Sequence, residues 1–531
     1  MLFRSEIILK HKLLYSMVAI IMLSQIFATF KDGQLIARID QDTSIESLKF
    51  EFKSNGFEFD NQLVRKLNIW LIIISPNFYK STEDALIQLR KLPGVIYAQL
   101  DHNLSQRVEP NDPFYPQMWN LNNTGQSGGV ADADIDAPEA WDISTGGVTA
   151  LGEEIVVAVV DGGVSYQHVD LADNIWVNEN EIPSNGIDDD ENGYVDDIVG
   201  WNAYNNNGSV PSSSHGTHVS GTIGAKGDNS DDVTGINWDV KIMCVAGSTS
   251  QTSVASIAYG YVLDQKTLWI ESGGEFGANV VATNSSFGID FADCNSGSYP
   301  VWNDLYNAMG EVGILSAAAT INSNQNVDNI GDVPTGCSSD YMIAVTNTTD
   351  DDVKYSGAGY GLETIDLGAP GTHICSTIPG NNVSCSYTGT SMATPHVAGT
   401  VGLMHAAATL TWAEGYVESP AIKALELKSM ILDNVDILPT LDGVTVSGGR
   451  LNLYNAVYAI ANAGSNFQSG DVNMDSLINI LDVVNIANYI VTGEGFTQEE
   501  IELADMDGNG EINVVDIVSV INIILNINGN N

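Results

Sequence analysis

Cations are scarce in this 531-residue chain: 20 Lys and Arg stand against 67 Asp and Glu, a formal net charge of −47. Nucleic acid and anionic membrane surfaces would repel such a surface, which excludes both as natural partner classes. The acidity suits either solubility in a saline medium or the binding of many cations, and composition does not separate the two. Long apolar runs are nearly absent too. Residues 1–28 carry Arg4, Lys10, His11 and Lys12 ahead of the run Leu13 to Ala28. That is the order of a signal peptide, with an uncleaved signal anchor as the alternative. No later run is long and apolar enough to span a bilayer. Cysteine is sparse as well: Cys244, Cys294, Cys337, Cys375 and Cys385, without the spacing of a metal site or a thiol catalyst. In an exported protein some should pair, and the odd count leaves at least one over. Cys375 and Cys385 flank the turn-like Pro379-Gly380-Asn381-Asn382 and form the first expected pair; Cys294 with Cys337 is the second.

What is present is organised around Gly389-Thr390-Ser391-Met392-Ala393-Thr394-Pro395, which continues as the helix-like His396-Val397-Ala398-Gly399. A Ser at a helix start sits beside unpaired N–H groups and the positive end of the helix dipole. Such a position suits a nucleophile whose attack creates an oxyanion nearby. A base for it is offered by His215-Gly216-Thr217-His218-Val219-Ser220-Gly221-Thr222, which reads as a loop running into a helix. Upstream, Glu154 to Val160 is a short β-branched run, predicted as a buried parallel strand, and it ends on Asp161 followed by two glycines. An Asp at the carboxyl end of a parallel strand lies where α/β sheets place their sites.

The chain order Asp161, His215, Ser391 is the order found in subtilisin. On these three motifs the region 111–463 resembles the subtilisin-like serine proteases. The resemblance implies that Ser391 attacks a peptide carbonyl, that His215 moves the proton, and that Asp161 holds the imidazole. His218 is expected to buttress its helix and His396 to belong to the core. The family's oxyanion donor is an Asn that follows a Gly, and no Gly-Asn pair occurs in Ile314 to Asn324. Asn322 fits that role best, with Thr320 and Asn324 as the other candidates. Gly162 stands where the family carries Ser or Thr. Asn284-Ser285-Ser286-Phe287-Gly288 resembles the strand that pairs with substrate, which makes Ser286, Phe287 and Gly288 the expected substrate-binding residues.

The fold class expected is α/β, a mostly parallel sheet with helices on both faces. Its predicted strands are Lys241–Ala246, Asn279–Asn284, Gly313–Ala318 and Met342–Thr346; helices are predicted at Val254–Ile270 and Val301–Gly310, and helices dominate from Ser391 to about Ala461. Ahead of it, Leu35–Arg38, Ser44–Ser54, Trp70–Ser75, Thr82–Leu92 and Val95–Leu100 read as strand, helix, strand, helix, strand, the layout of a compact ferredoxin-like α+β unit. By resemblance, residues 29–110 are a propeptide that chaperones folding and plugs the cleft; a retained N-terminal domain is the alternative. Arg107 to Pro113 reads as the linker.

Two kinds of acidic segment predict calcium. Between Asp161 and His215 the run Asn185 to Asp197 offers Asp188, Asp190, Asn192, Asp196 and Asp197 around a Gly that permits a sharp turn, an oxygen cage suited to Ca²⁺. A linker, Gly464 to Gly470, then leads into an internal repeat at 464–531. Asp471, Asn473, Asp475 and Asp482 recur as Asp505, Asp507, Asn509 and Asp516, with oxygen side chains at the ligand positions of an EF-hand loop. Each copy runs into an apolar helix, predicted at Val483–Val491 and Ile517–Leu525. The paired loops and helices resemble a small helical type I dockerin, which implies a cohesin-like partner. Dockerins often place hydroxyl residues at loop positions 10 and 11, whereas Ile480-Leu481 and Val514-Val515 stand there in this chain.

The expectation from sequence is therefore a secreted, extracellular or cell-surface, calcium-dependent monomeric endopeptidase acting on protein or peptide, made as a zymogen. Its competitor is a binding or scaffold protein with an impaired site, docked through its C-terminal module.

Overall fold

The computed structural model describes residues 30–40, 45–75, 78–102, 108–463, 469–472, 478, 480–492, 496, 498–506 and 512–524. The chain divides into two compact units, the second beginning at Val108.

In the first unit, Phe30–Ile39, Phe57–Val64, Ile69–Ile74 and Val95–His102 form an antiparallel sheet with the spatial order second, third, first, fourth. Helices Ile45–Ser54 and Thr82–Leu89 place Phe52, Ala85 and Leu89 in one apolar cluster with Leu35, Ala37, Phe57 and Ile72. This is the expected ferredoxin-like layout with one strand more than the sequence pattern suggests. Phe57–Val64 is a sheet edge on which only Phe57 is buried, so its polar middle gives little strand signal. Ser81 caps the second helix by accepting from the Asp84 N–H.

The second unit carries a nine-stranded sheet. Its order is Asp436–Ile437, Gly449–Arg450, Leu367–Pro370, Met342–Thr348, Leu315–Ala319, Val280–Ser285, Val156–Asp161, Lys241–Ala246 and Gly200–Asn202. All neighbours are parallel except the short edge pair at 436–437 and 449–450. Every residue of Val156–Asp161 is buried. Val157 and Val159 join one apolar cluster with Val219, Ile223, Val397 and Val401, whereas Val156, Ala158 and Val160 join another with Ala258, Tyr259, Trp302 and Tyr306. Alternating side chains thus feed two helix layers, which is why the run is apolar throughout. Each such valine contributes roughly 1.5–3 kcal/mol of burial. The helices of the first layer are Ser214–Gly224 and Thr390–Ala407; those of the second are Thr252–Ser272 and Pro300–Glu311.

Val108 onward belongs to the second unit, so the division into compact units lies three residues ahead of the expected domain boundary at 110. The Asp112 carboxylate, buried, accepts the N–H groups of Asp228 and Asn229, and Asn111 donates to and accepts from residues 228–230. These side-chain bonds to the backbone hold the segment down. Both expected disulfides are present, Cys294–Cys337 and Cys375–Cys385, and Cys244 is a buried free thiol.

C-terminally, helices Ile480–Thr492, Gln498–Ala504 and Val514–Ile524 share a small core of Val472, Val483, Ile486, Ala504 and Val520. Among the described residues no helix is long and apolar enough to cross a membrane.

Candidate active site

Asp161 is the last residue of its central strand, so its carboxylate projects past the sheet's carboxyl edge. His215 stands at the start of Ser214–Gly224, a helix capped by Ser213. Its Nδ1 lies 2.8 Å from Asp161 Oδ2, while Asp161 Oδ1 accepts the Gly162 N–H at 2.6 Å. Gly216 makes this approach feasible, because a Cβ there would stand 2.1 Å from the Gly163 carbonyl and 2.9 Å from Asp161 Oδ1. Burial alone would lower the His215 pKa, but the hydrogen bond and charge of Asp161 outweigh it and the net shift is upward. Gly162 also has room to be larger only at some cost, since its Cβ would meet Ser213 Oγ at 3.3 Å.

Ser391 is the second residue of the helix Thr390–Ala407. Its hydroxyl donates to the Ser286 carbonyl at 3.3 Å, and among the described residues no hydrogen bond joins it to His215. Asn322 caps the same helix: its Oδ1 accepts the Thr390 N–H at 3.0 Å and the Thr390 hydroxyl at 3.1 Å. That anchoring leaves the Asn322 NH₂ free, and Asn322 lines one pocket with Ser391, Ser286, Phe287 and Gly288. The other oxyanion candidates are placed differently. Asn324 Oδ1 accepts from Lys354, and the Thr320 hydroxyl donates to the buried Asp332. Gly288 allows close packing on the opposite wall, for a Cβ there would meet the Val333 carbonyl at 2.4 Å.

The two remaining histidines of the motifs are buried and occupied. His218 Nε2 meets the Ile374 and Ser384 carbonyls at 3.1 and 3.3 Å and its ring stacks on Tyr387. His396 bridges Asn120 and the Met392 carbonyl. Burial pushes the pKa of each down to about 4, so both stay neutral.

A sequence profile described as "Subtilase family" matches residues 152–462, more than half of the chain. The chain belongs to the subtilase family. Among relatives, this subtilase is 30% identical over 357 residues to an "Extracellular protease" of Xanthomonas campestris pv. campestris, covering 64% of this chain and 56% of that protein. It is 29% identical over 379 residues to a "Cell wall-associated protease" of Bacillus subtilis, covering 71% and 35% respectively. With "Thermitase" of Thermoactinomyces vulgaris it shares 29% over 355 residues, 66% of this chain and 99% of that one. The chain thus spans about half or less of the length of the first two relatives. A profile described as "Dockerin type I domain" matches residues 469–525.

The subtilase's acidic loop brings together a cluster that the sequence reading only partly identifies. Carboxylate oxygens of Glu181, Asp188 and Asp190 all lie within 4.8 Å of one another. Gly193, at φ +95°, supplies the sharp turn after Asn192. Asp196 and Asp197, expected as ligands, accept hydrogen bonds within and beside the loop. Asp196 accepts the Asn185 and Gly186 N–H groups, and buried Asp197 accepts from Asn178, Asn192, Tyr261 and Gln265. They shape the loop. Asn192 has its Oδ1 on the Tyr194 N–H and its NH₂ on Asp190 and Asp197. Glu181 escaped the sequence reading because it precedes the acidic run; the signal was its place in Asn178-Glu179-Asn180-Glu181.

In the dockerin, the two copies close alike. The Val472 N–H donates to Asp482 Oδ1 at 2.8 Å and the Met506 N–H to Asp516 Oδ1 at 2.9 Å. Asp471, Asp482 and Asp516 are buried, and Asp505 is half-buried. Asn473, Asp475, Asp507 and Asn509 lie outside the described residues. Both helices begin at loop position 10, three residues earlier than the apolar periodicity suggests.

Proposed function

We propose that this subtilase is a secreted serine endopeptidase in which Asp161, His215 and Ser391 form the catalytic triad. The observation that carries the reading is the 2.8 Å bond between His215 and Asp161, made at the carboxyl edge of a parallel sheet; Ser391, at a helix N-terminus, lines a pocket with Asn322. In the proposed reaction, His215 Nε2 takes the Ser391 proton as Oγ attacks the carbonyl carbon. Asp161, bonded to Nδ1–H, fixes the tautomer and stabilises the imidazolium. The oxyanion is met by the Asn322 NH₂ and by the Ser391 N–H, which lies in the helix's unpaired first turn. His215 then gives the proton to the departing amine, and water releases the acyl group by the same steps in reverse.

Glu181, Asp188 and Asp190, with both dockerin loops, are the residues that would hold Ca²⁺, a hard cation suited to an all-oxygen carboxylate set. Bound calcium would neutralise the mutual repulsion of these carboxylates. We assign residues 1–28 to a signal peptide and 29–110 to a removable folding and inhibitory segment; the separate core of the first unit supports the latter. The dockerin then tethers the enzyme to a cohesin-like partner outside the cell.

The test is a serine-directed fluorophosphonate applied to the purified chain, with the adduct located by peptide mapping. Labelling at Ser391, lost in Ser391→Ala together with peptidase activity, is the expected result. An unlabelled chain would support the scaffold reading instead. If maturation is autocatalytic, purified Ser391→Ala also keeps its N-terminal unit attached.

A further inference from the structure

The pocket beside Ser391 contains two carboxylates that no motif predicts. Asp290 and Asp332 are paired residues of a short antiparallel bridge, Ile289–Asp290 with Asp332–Val333, and both line the pocket with Ile321 and Phe287. Asp290 is exposed, whereas Asp332 is 1% exposed. Three donors converge on a single oxygen of Asp332: the Thr335 hydroxyl at 2.6 Å, the Ile321 N–H at 3.0 Å and the Thr320 hydroxyl at 3.3 Å, all to Oδ2. Among the described residues no hydrogen bond reaches Oδ1. No Lys, Arg or His lines the pocket, and no ion pair involves Asp332 among the described residues.

A purely structural role would need only Oδ2, and an Asn carbonyl could accept the same three donors. A carboxylate here instead carries a desolvation cost without a countercharge. Burial, with the nearby Asp290 charge, pushes its pKa up to about 7. A cation entering the pocket would meet the free Oδ1 in a charge-assisted bond and favour the ionised form. The pocket walls offer Phe287 and Ile321 to an aliphatic stem, the arrangement that suits a long side chain with a charged head.

We propose that this pocket accepts an arginine or lysine side chain of the substrate and that Asp332, assisted by Asp290, selects it. The inference rests on the peptidase reading above. It makes the enzyme one that cleaves after basic residues, with the selecting bond formed next to the attacked carbonyl.

The experiment compares peptides that differ only in the residue preceding the scissile bond, Arg, Lys, Leu or Phe, using the purified full chain. Arg or Lys should exceed Leu in kcat/KM by about ten-fold or more, the worth of one hydrogen bond to a charged group. In Asp332→Asn the Arg-to-Leu ratio should fall by a similar factor, and benzamidine should cease to protect Ser391 from the fluorophosphonate. Should Asp332→Asn lack a cooperative thermal transition, Asp290→Lys at the exposed position should still lower the ratio several-fold. Preference for Leu or Phe in a chain that labels and cleaves would overturn the pocket assignment and leave the peptidase reading intact. A ratio unmoved by either folded variant would overturn it as well. A chain that neither labels nor cleaves would overturn both.

Discussion

Ser286 and Ser391 hold each other through two reciprocal hydrogen bonds. Ser286 Oγ donates to the Ser391 carbonyl at 3.0 Å, and Ser391 Oγ donates to the Ser286 carbonyl at 3.3 Å. The first bond has a local cause. Pro395 lies inside the helix and has no N–H for the carbonyl four residues before it, so Ser286 supplies the missing donor. Asn284 in turn donates to Ser286 Oγ at 2.8 Å. Ser286→Ala should therefore lower stability by about 1–3 kcal/mol, the cost of a buried unpaired carbonyl. Urea titration would measure it, and a midpoint equal to wild type would show that another group satisfies the Ser391 carbonyl.

Asn322→Ala should reduce kcat by about 10²–10³ with KM little changed, since an oxyanion donor acts chiefly in the transition state. Asn324→Ala should do far less, because its Oδ1 is engaged by Lys354 rather than facing Ser391. Steady-state kinetics decide the matter, and the larger loss in Asn324→Ala would reassign the donor.

The raised pKa of His215 fixes the direction of one pH effect. In the proposed mechanism its neutral form is the base, so kcat/KM should fall as pH drops through the raised value. Asp161→Asn removes the charge that raises it; the acid limb should move to lower pH while kcat falls by about 10⁴. The stability contribution runs oppositely. It is fully present below the unfolded-state pKa of histidine and is lost as pH rises through the folded value. An acid limb unmoved by Asp161→Asn would mean that another group titrates there.

Calcium should control the dockerin's folding. Residues 464–531, produced alone, should gain helical circular dichroism on adding Ca²⁺ and lose it to a chelator, because so small a core is marginal without a metal. The loop with Gly510 should bind more tightly than the one with Ser476, where the turn favours Gly. Helicity indifferent to both calcium and chelator would refute the idea.

The parts legible in sequence were those written in contiguous residues. Lys241–Ala246 is an apolar run predicted and found with the same ends, and Asp161, His215 and Ser391 each announced themselves through a local motif. What depends on register was not legible. Asp332 becomes a pocket residue through its pairing with Asp290, and Glu181 joins Asp188 through a loop closure that no spacing rule encodes. Phe57–Val64 was hidden because an edge strand can afford a polar middle.

The position of Asp161 on a central strand, with Ser391 on a helix encoded far downstream, has a consequence for the nascent protein. A chain emerging from its N-terminus exposes Asp161 and His215 long before the helix of Ser391 exists, and Val156–Asp161 gains a neighbour only when Lys241–Ala246 arrives. Parallel pairings of this range form slowly. On the peptidase reading proposed above, the proteolytic hazard to the producing cell would be deferred by chain connectivity itself, before any inhibitory segment is called upon.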